Sequence, residues 1–203
     1  MKRLRWFAAV AVIAGGCLVG RALYLHAKAE LAGILIRRAW AQSIRSGKPQ
    51  PPWPWADTYP VARLRIPRLG YDEIVLEGAT PRTLAFGPAH LLSGAAWDEP
   101  GNLVIAGHRT SWFRPLSRIE NGDRIEIEWL DRERELRAHD YTVTTIGIVE
   151  PQDTTMLEST PDAALTLVTC YPFGASPRSP QRFVVRATPS ATGVAELGQN
   201  LKR

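Results

Sequence analysis

The chain has 203 residues and a formal net charge of +5, room for one ordinary domain with an attached segment. Between residues 61 and 189 it holds 14 Arg against 17 Asp or Glu, whereas the first 60 residues hold 9 Lys or Arg against 2 acids. The surplus positive charge therefore sits beside an apolar N-terminus, which argues against a phosphate-binding face and excludes a nucleic-acid partner as its reason.

Lys2, Arg3 and Arg5 precede an apolar run over residues 6–20, which resumes after Arg21 through residue 25. A run of about 20 such residues suffices to span a bilayer. The basic flank places the N-terminus in the cytoplasm and everything after the run outside. Residues 1–25 are thus expected to be a single-pass membrane anchor. Two rival readings exist, a cleavage site at Ala27 and Ala29 and a lipoprotein signal around Gly15-Gly16-Cys17. Arg21 weakens the first, and Ala14 in place of leucine weakens the second.

Residues 25–45 place Leu31, Ile34, Leu35, Arg38 and Ala39 at helical spacing, so a helix should continue out of the anchor. Residues 47–60 change to Pro51-Pro52-Trp53-Pro54-Trp55 and Pro60, which predicts a stiff extended connector whose tryptophans pack on the domain. From residue 61 short apolar runs recur between Gly and Pro punctuation, at 61–66, 72–76, 103–106, 124–129, 141–148, 165–169 and 183–187. That pattern predicts a mostly β domain over 61–189, a barrel, with short helices near 80–84, 112–116 and 154–157. Residues 190–203 read as a loose tail.

The chemistry is carried by three of these runs. Residues 165–170 read Leu-Thr-Leu-Val-Thr-Cys, and a strand there carries the Cys170 thiol to its end, where Pro172 and Gly174 break the ladder. Residues 102–108 form an apolar run closed by Gly107 and His108, and residues 181–187 begin a strand at Arg182. Cys17 lies in the anchor, so an intramolecular disulfide with Cys170 is implausible. An unpaired thiol outside the cytoplasm is a liability unless it is used, the alternative being a small buried core residue. A thiol works as a nucleophile when an imidazole exchanges its proton and a fixed cation or backbone donor stabilises the oxyanion formed on the attacked carbonyl. Cys170, His108 and Arg182 fit those roles, with Arg178 and Arg186 near enough in sequence to compete for the last. His90 either lines the same pocket, together with Thr169, or is structural. His139 is expected to be solvated in a charged hairpin, and His26 belongs to the anchor. The acids between 126 and 140 alternate with Arg132, Arg134 and Arg137, so no calcium site is expected, nor any other metal or cofactor.

The segments Val-Ala-Arg-Leu-Arg-Ile-Pro (61–67), Gly-Pro-Ala-His-Leu (87–91), Gly-Asn-Leu-Val-Ile-Ala-Gly-His (101–108), Leu-Thr-Leu-Val-Thr-Cys (165–170) and Arg-Phe-Val-Val-Arg (182–186) together resemble a sortase. The Pro/Trp connector, the single N-terminal anchor and the lack of a C-terminal span are further similar to sortases of Gram-negative proteobacteria. The resemblance implies an eight-stranded barrel over 61–189 on the periplasmic side of the inner membrane. It also implies a target protein with a C-terminal Leu-Pro-X-Thr-Gly-like signal. In that mechanism Cys170 attacks the threonine carbonyl, His108 protonates the departing amine, and Arg182 holds the oxyanion or the substrate backbone. An amine acceptor or water then resolves the thioester. One departure is Thr110, where many relatives carry an acid two residues after the histidine. Two other readings stand beside this one. One is a cell-wall transpeptidase of the L,D type, whose Ser-x-Gly-Cys-x-Arg signature Val168-Thr169-Cys170-Tyr171 does not fit. The other is a catalytically inactive peptide-binding barrel that works by strand addition.

Overall fold

The computed structural model describes residues 2–97, 99–174 and 180–190, and within its first helix the side chains at 3, 6, 14–24 and from 26 onward. Eight strands close into one barrel: β1 Pro60–Ile66, β2 Tyr71–Glu77, β3 Ala89–His90, β4 Asn102–Ala106, β5 Arg124–Leu130, β6 Leu136–Val149, β7 Ala164–Tyr171 and β8 Gln181–Pro189. Their order around the barrel is β1-β2-β3-β4-β7-β8-β6-β5. The ladders are antiparallel except β2 with β3 and β4 with β7. Alternation along each strand sends one side chain in two inward, as in β1, where Ala62, Leu64 and Ile66 are wholly buried and the residues between them are not. Leu103, Ile105, Leu165, Leu167 and Val185 meet them from the opposite wall.

Seven of the strands grow from the predicted runs. The eighth, β3, has two residues, too few to show a period of two. The largest difference lies in β6, which begins at Leu136 rather than at 141 because the charged half of the hairpin is itself paired, Trp129 opposite Arg137 and Leu130 opposite Leu136. His139 is consequently only partly solvated. It is half-buried between Trp129 and Tyr141, with ring centroids 6.3 and 5.2 Å away.

The N-terminal segment is one helix, α1, Lys2–Ser46. The expected anchor falls partly on residues outside those described, and among the described residues no helix is long and apolar enough to cross a membrane. The expected helix through 45 is present, and its barrel-facing stripe takes only part of the apolar set. Leu31 and Ile34 are exposed, while Ala32, Ile36, Ala39, Trp40 and Ser43 are buried, a spacing that keeps one face turned to the barrel. Ile36 and Trp40 pack on Ile74, Leu76 and Ala89. Arg37 Nη2 adds bonds to the Asp72 carbonyl at 3.1 Å and to Glu73 Oε2 at 3.2 Å. Gly47, with φ +62°, ends the helix in the left-handed cap that glycine adopts without strain.

The connector is not extended. It turns at Trp53, whose carbonyl accepts from the Ala56 N–H at 3.0 Å, and Trp53 meets Phe86 edge-on at 5.1 Å. Trp55 faces solvent. Of the expected tail only Ser190 is described. It extends β8 through its N–H to the Asp140 carbonyl, 2.8 Å.

A buried polar knot secures the loop between β6 and β7. Asn102, wholly buried, donates Nδ2 to the carbonyls of Met156 and Glu158 at 3.0 and 3.1 Å, and its Oδ1 accepts from the Thr166 hydroxyl at 2.6 Å. Truncation would leave two part-buried carbonyls and the buried Thr166 hydroxyl without this partner. Asn102→Ala is therefore expected to lower stability by about 2–3 kcal/mol in urea unfolding, on the scale of such losses. Thr166→Val should cost about 1–3 kcal/mol, because it keeps the volume but leaves the buried Asn102 Oδ1 without its donor.

Candidate active site

Leu165 and Leu167 of β7 enter the barrel core, so Thr166, Val168 and Cys170 face outward. Cys170 lies directly opposite Arg182 in the β7–β8 ladder, and Thr166 opposite Arg186. Residues opposed across an antiparallel pair share a face, with Cβ atoms about 5 Å apart. The thiol and the Arg182 guanidinium stem therefore rise from the same outer wall. On the other side of β7 the parallel ladder with β4 sets Ala106 beside Val168. It is prolonged by two bonds, Gly107 N–H to the Val168 carbonyl at 3.2 Å and Thr169 Oγ1 to the Gly107 carbonyl at 2.6 Å. β4 itself ends at Ala106, and His108 follows Gly107 as Cys170 follows Thr169, each one residue past the last of these bonds.

The three predicted groups thus come from three adjacent strand ends, of β4, β7 and β8. Cys170 and Arg182 are half-buried and His108 is exposed. The strand carries one residue beyond the thiol, to Tyr171. Phe183 touches both Tyr171 and Phe173, at centroid distances of 6.3 and 5.0 Å. This aromatic cluster backs the end of the barrel next to Cys170.

The loop that carries His108 is tightly wound. The His108 carbonyl accepts from the N–H groups of Ser111 and Phe113, at 3.3 and 2.9 Å. Phe113 is wholly buried in the barrel core, and a Cβ on Gly107 would stand 2.8 Å from two of its ring carbons. The glycine between Ala106 and His108 is therefore a packing requirement. Arg109, passed over in the sequence, is nearly buried and donates Nη1 to the Pro172 carbonyl.

The remaining candidates separate from this group. His90 is buried in β3 with Nδ1 3.2 Å from Glu77 Oε2 and Nε2 3.1 Å from the Ala95 carbonyl. Both ring nitrogens are engaged, so its role is structural. Thr169 is buried and committed to the Gly107 carbonyl, a brace rather than a pocket wall. Arg186 donates Nη2 to the Met156 carbonyl at 2.8 Å, four residues along β8 from Arg182. Arg178 lies outside the described residues. His26 is exposed beside Glu30, 4.0 Å away. Among the described residues no group of three His, Cys, Asp or Glu is placed to hold a metal ion.

A cavity of about 420 Å³ opens past the His108 loop, lined by Tyr71, Asp72, Glu73, Ser111, Trp112 and Pro115. Neither Cys170 nor Arg182 borders it. Its carboxylates are already matched. The hydrogen bond from Arg63 holds Asp72 below the usual carboxylate range. Burial pushes Glu73 up, against the opposing pull of Arg37.

A thiol set between an imidazole-bearing loop and a guanidinium-bearing strand is the layout that nucleophilic acyl-transfer chemistry requires. The sortase domain model matches residues 64–190, and the chain belongs to the sortase family. It is 28% identical over 123 residues to sortase D of Bacillus subtilis, covering 60% of each chain, so it spans less than two thirds of that relative. A sortase A lid mutant of Corynebacterium diphtheriae superposes with a TM-score of 0.58 at 27% identity, over 67% of this chain and 73% of that one. The sortase D5 transpeptidase of Clostridium perfringens reaches a TM-score of 0.63 over 79% of this chain and 99% of that one. Its 21% identity speaks to the fold alone.

Gly107→Ala tests the packing of the loop. The added methyl must displace Phe113 or the loop backbone, an overpacking cost of about 1–3 kcal/mol. The expected result is a lower melting temperature together with lost activity, whereas an unchanged melting temperature would mean that the ring moves aside freely.

Proposed function

We propose that the protein is a membrane-anchored cysteine transpeptidase that acts on a C-terminal sorting signal of the Leu-Pro-X-Thr-Gly type. The single observation that carries this reading is the register of Cys170 against Arg182, with β4, the strand that runs on into Gly107 and His108, paired to β7 on its other side. Cys170, as thiolate, attacks the threonine carbonyl carbon, and the carbonyl oxygen becomes an oxyanion facing the Arg182 guanidinium. The C–N bond to the following residue breaks, its electron pair leaves with the amine, and protonated His108 supplies the amine's proton. The threonine acyl group remains on sulfur as a thioester. An incoming amine then attacks that carbonyl, His108 takes the amine's proton, the thiolate departs and a new amide remains. Water in place of the amine gives hydrolysis.

The anchor reading rests on Lys2, Arg3 and Arg5 ahead of the apolar run at 6–20. By it, the barrel lies on the periplasmic side of the cytoplasmic membrane, reached through the exposed part of α1. The proteobacterial kinship rests on the Pro/Trp connector. Carbonate extraction of membranes tests the anchor, since an anchored chain stays in the pellet and a cleaved or peripheral one is released.

The catalytic reading is tested with a Leu-Pro-X-Thr-Gly peptide and excess glycine amide, followed by mass spectrometry. Wild type should show a thioester on Cys170 and an amidated product, and Cys170→Ala neither. His108→Ala should lose about 10²–10⁴-fold in kcat/KM, the range of a lost general acid–base. Arg182→Ala should lose about 10²–10³-fold, as for a lost oxyanion donor. Peptide binding that survives in Cys170→Ala with no turnover in wild type would favour a binding module instead.

A further inference from the structure

The bonds that join β4 to β7 stop short of the reacting groups. The last of them bring together Gly107 with Val168 and Thr169, each one or two residues before His108 and Cys170. Beyond them the two chains part, one entering the 108–113 turn and the other leaving β8 after Tyr171 through Pro172. Arg109 spans that opening. It is the neighbour of His108, and its guanidinium donates to the carbonyl of Pro172, the second residue after Cys170. Only 9% of it is exposed, a rare state for an arginine unless its head is held.

We infer that Arg109 is a positioning residue that sets the His108 imidazole against the Cys170 thiol. The inference rests on the reading of Cys170 and His108 as the reacting pair. The sheet closes one side of a small ring at Gly107 and Thr169, and the Arg109–Pro172 bond closes the other, with His108 and Cys170 on the two arms between. A planar guanidinium suits this work better than an ammonium, because its donors are fixed in direction and it stays charged at every working pH. Arg109 faces inward and donates to backbone, so it acts on the geometry of the pair and not on the substrate. Misplacing reacting groups by about 1 Å can cost about 10²-fold in rate.

The test uses Arg109→Met, which keeps the stem and removes the head, and Arg109→Lys, which keeps charge and a single donor. Arg109→Met should lose about 10–100-fold in kcat with KM within about threefold, as expected for misplaced groups and intact binding. Arg109→Lys should recover part of that loss. Alkylation of Cys170 by iodoacetamide between pH 5 and 9 gives a readout independent of any peptide. The Arg109→Met profile should move onto that of His108→Ala, and adding Arg109→Met to His108→Ala should change it no further. Melting curves identify a variant that fails to fold, in which case Arg109→Lys carries the comparison. Wild-type kcat and an unmoved alkylation profile in either folded variant would overturn the inference. So would a loss of the same size in the His108→Ala background. If wild type fails to turn over the peptide, the proposed function falls while the alkylation series still decides the role of Arg109.

Discussion

The parallel ladder between β4 and β7 is the constraint on which the rest of the site depends. Parallel neighbours cannot be joined by a tight hairpin, so the chain must travel through β5 and β6 before β7 returns to lie beside β4. That detour lets residues 62 positions apart in sequence, His108 and Cys170, emerge from the same end of adjacent strands. An antiparallel pairing would send the two strand ends to opposite rims. β8 then returns antiparallel to β7, so it starts where β7 ends and its first residues, Arg182 among them, stand opposite the thiol.

Placement on the outer wall has an energetic logic. The barrel interior is filled by Leu64, Ile105, Phe113, Leu165 and Leu167, all wholly buried, and a charged nucleophile there would meet a large desolvation penalty. The outer face of β7 allows partial burial instead. The knot of Asn102, Thr166 and the Met156 carbonyl covers its lower half, leaving Cys170 half-buried at the top. Polar groups beneath the thiol are thus satisfied within the wall, while Cys170, Arg182 and His108 keep part of their surface open to solvent.

The barrel was legible because its strands are amphipathic or apolar runs bounded by Gly and Pro, and Cys170, His108 and Arg182 drew attention because each sits at such a boundary. The rest is not legible in the sequence, for physical reasons. β3 is two residues long and its residues pair on both sides with neighbours no local pattern announces. The charged start of β6 obeys cross-strand pairing, Asp131 accepting from Arg137 Nε at 2.6 Å, and so carries no apolar alternation. In α1 the buried stripe is chosen by Ile74 and Leu76 on β2, and a helix with apolar residues on several faces does not reveal which one docks. Arg109 reads as an ordinary charged loop residue because its partner is a backbone carbonyl 63 residues away.

Three arginines near the thiol show how position decides what one side-chain type does. Arg186 reaches the Met156 carbonyl and is absorbed in holding the β6–β7 loop against the wall. Arg109 is turned inward to the Pro172 carbonyl, where its charge is spent on backbone geometry. Arg182, half-buried, stands directly across the ladder from Cys170. Of the three it alone shares the thiol's rung, and a cation acts on a developing oxyanion only from within hydrogen-bonding reach. Sequence distance ranks Arg178, Arg182 and Arg186 almost equally, but the pleat and the register do not: moving four residues along β8 carries a guanidinium stem about 13 Å from the sulfur's rung.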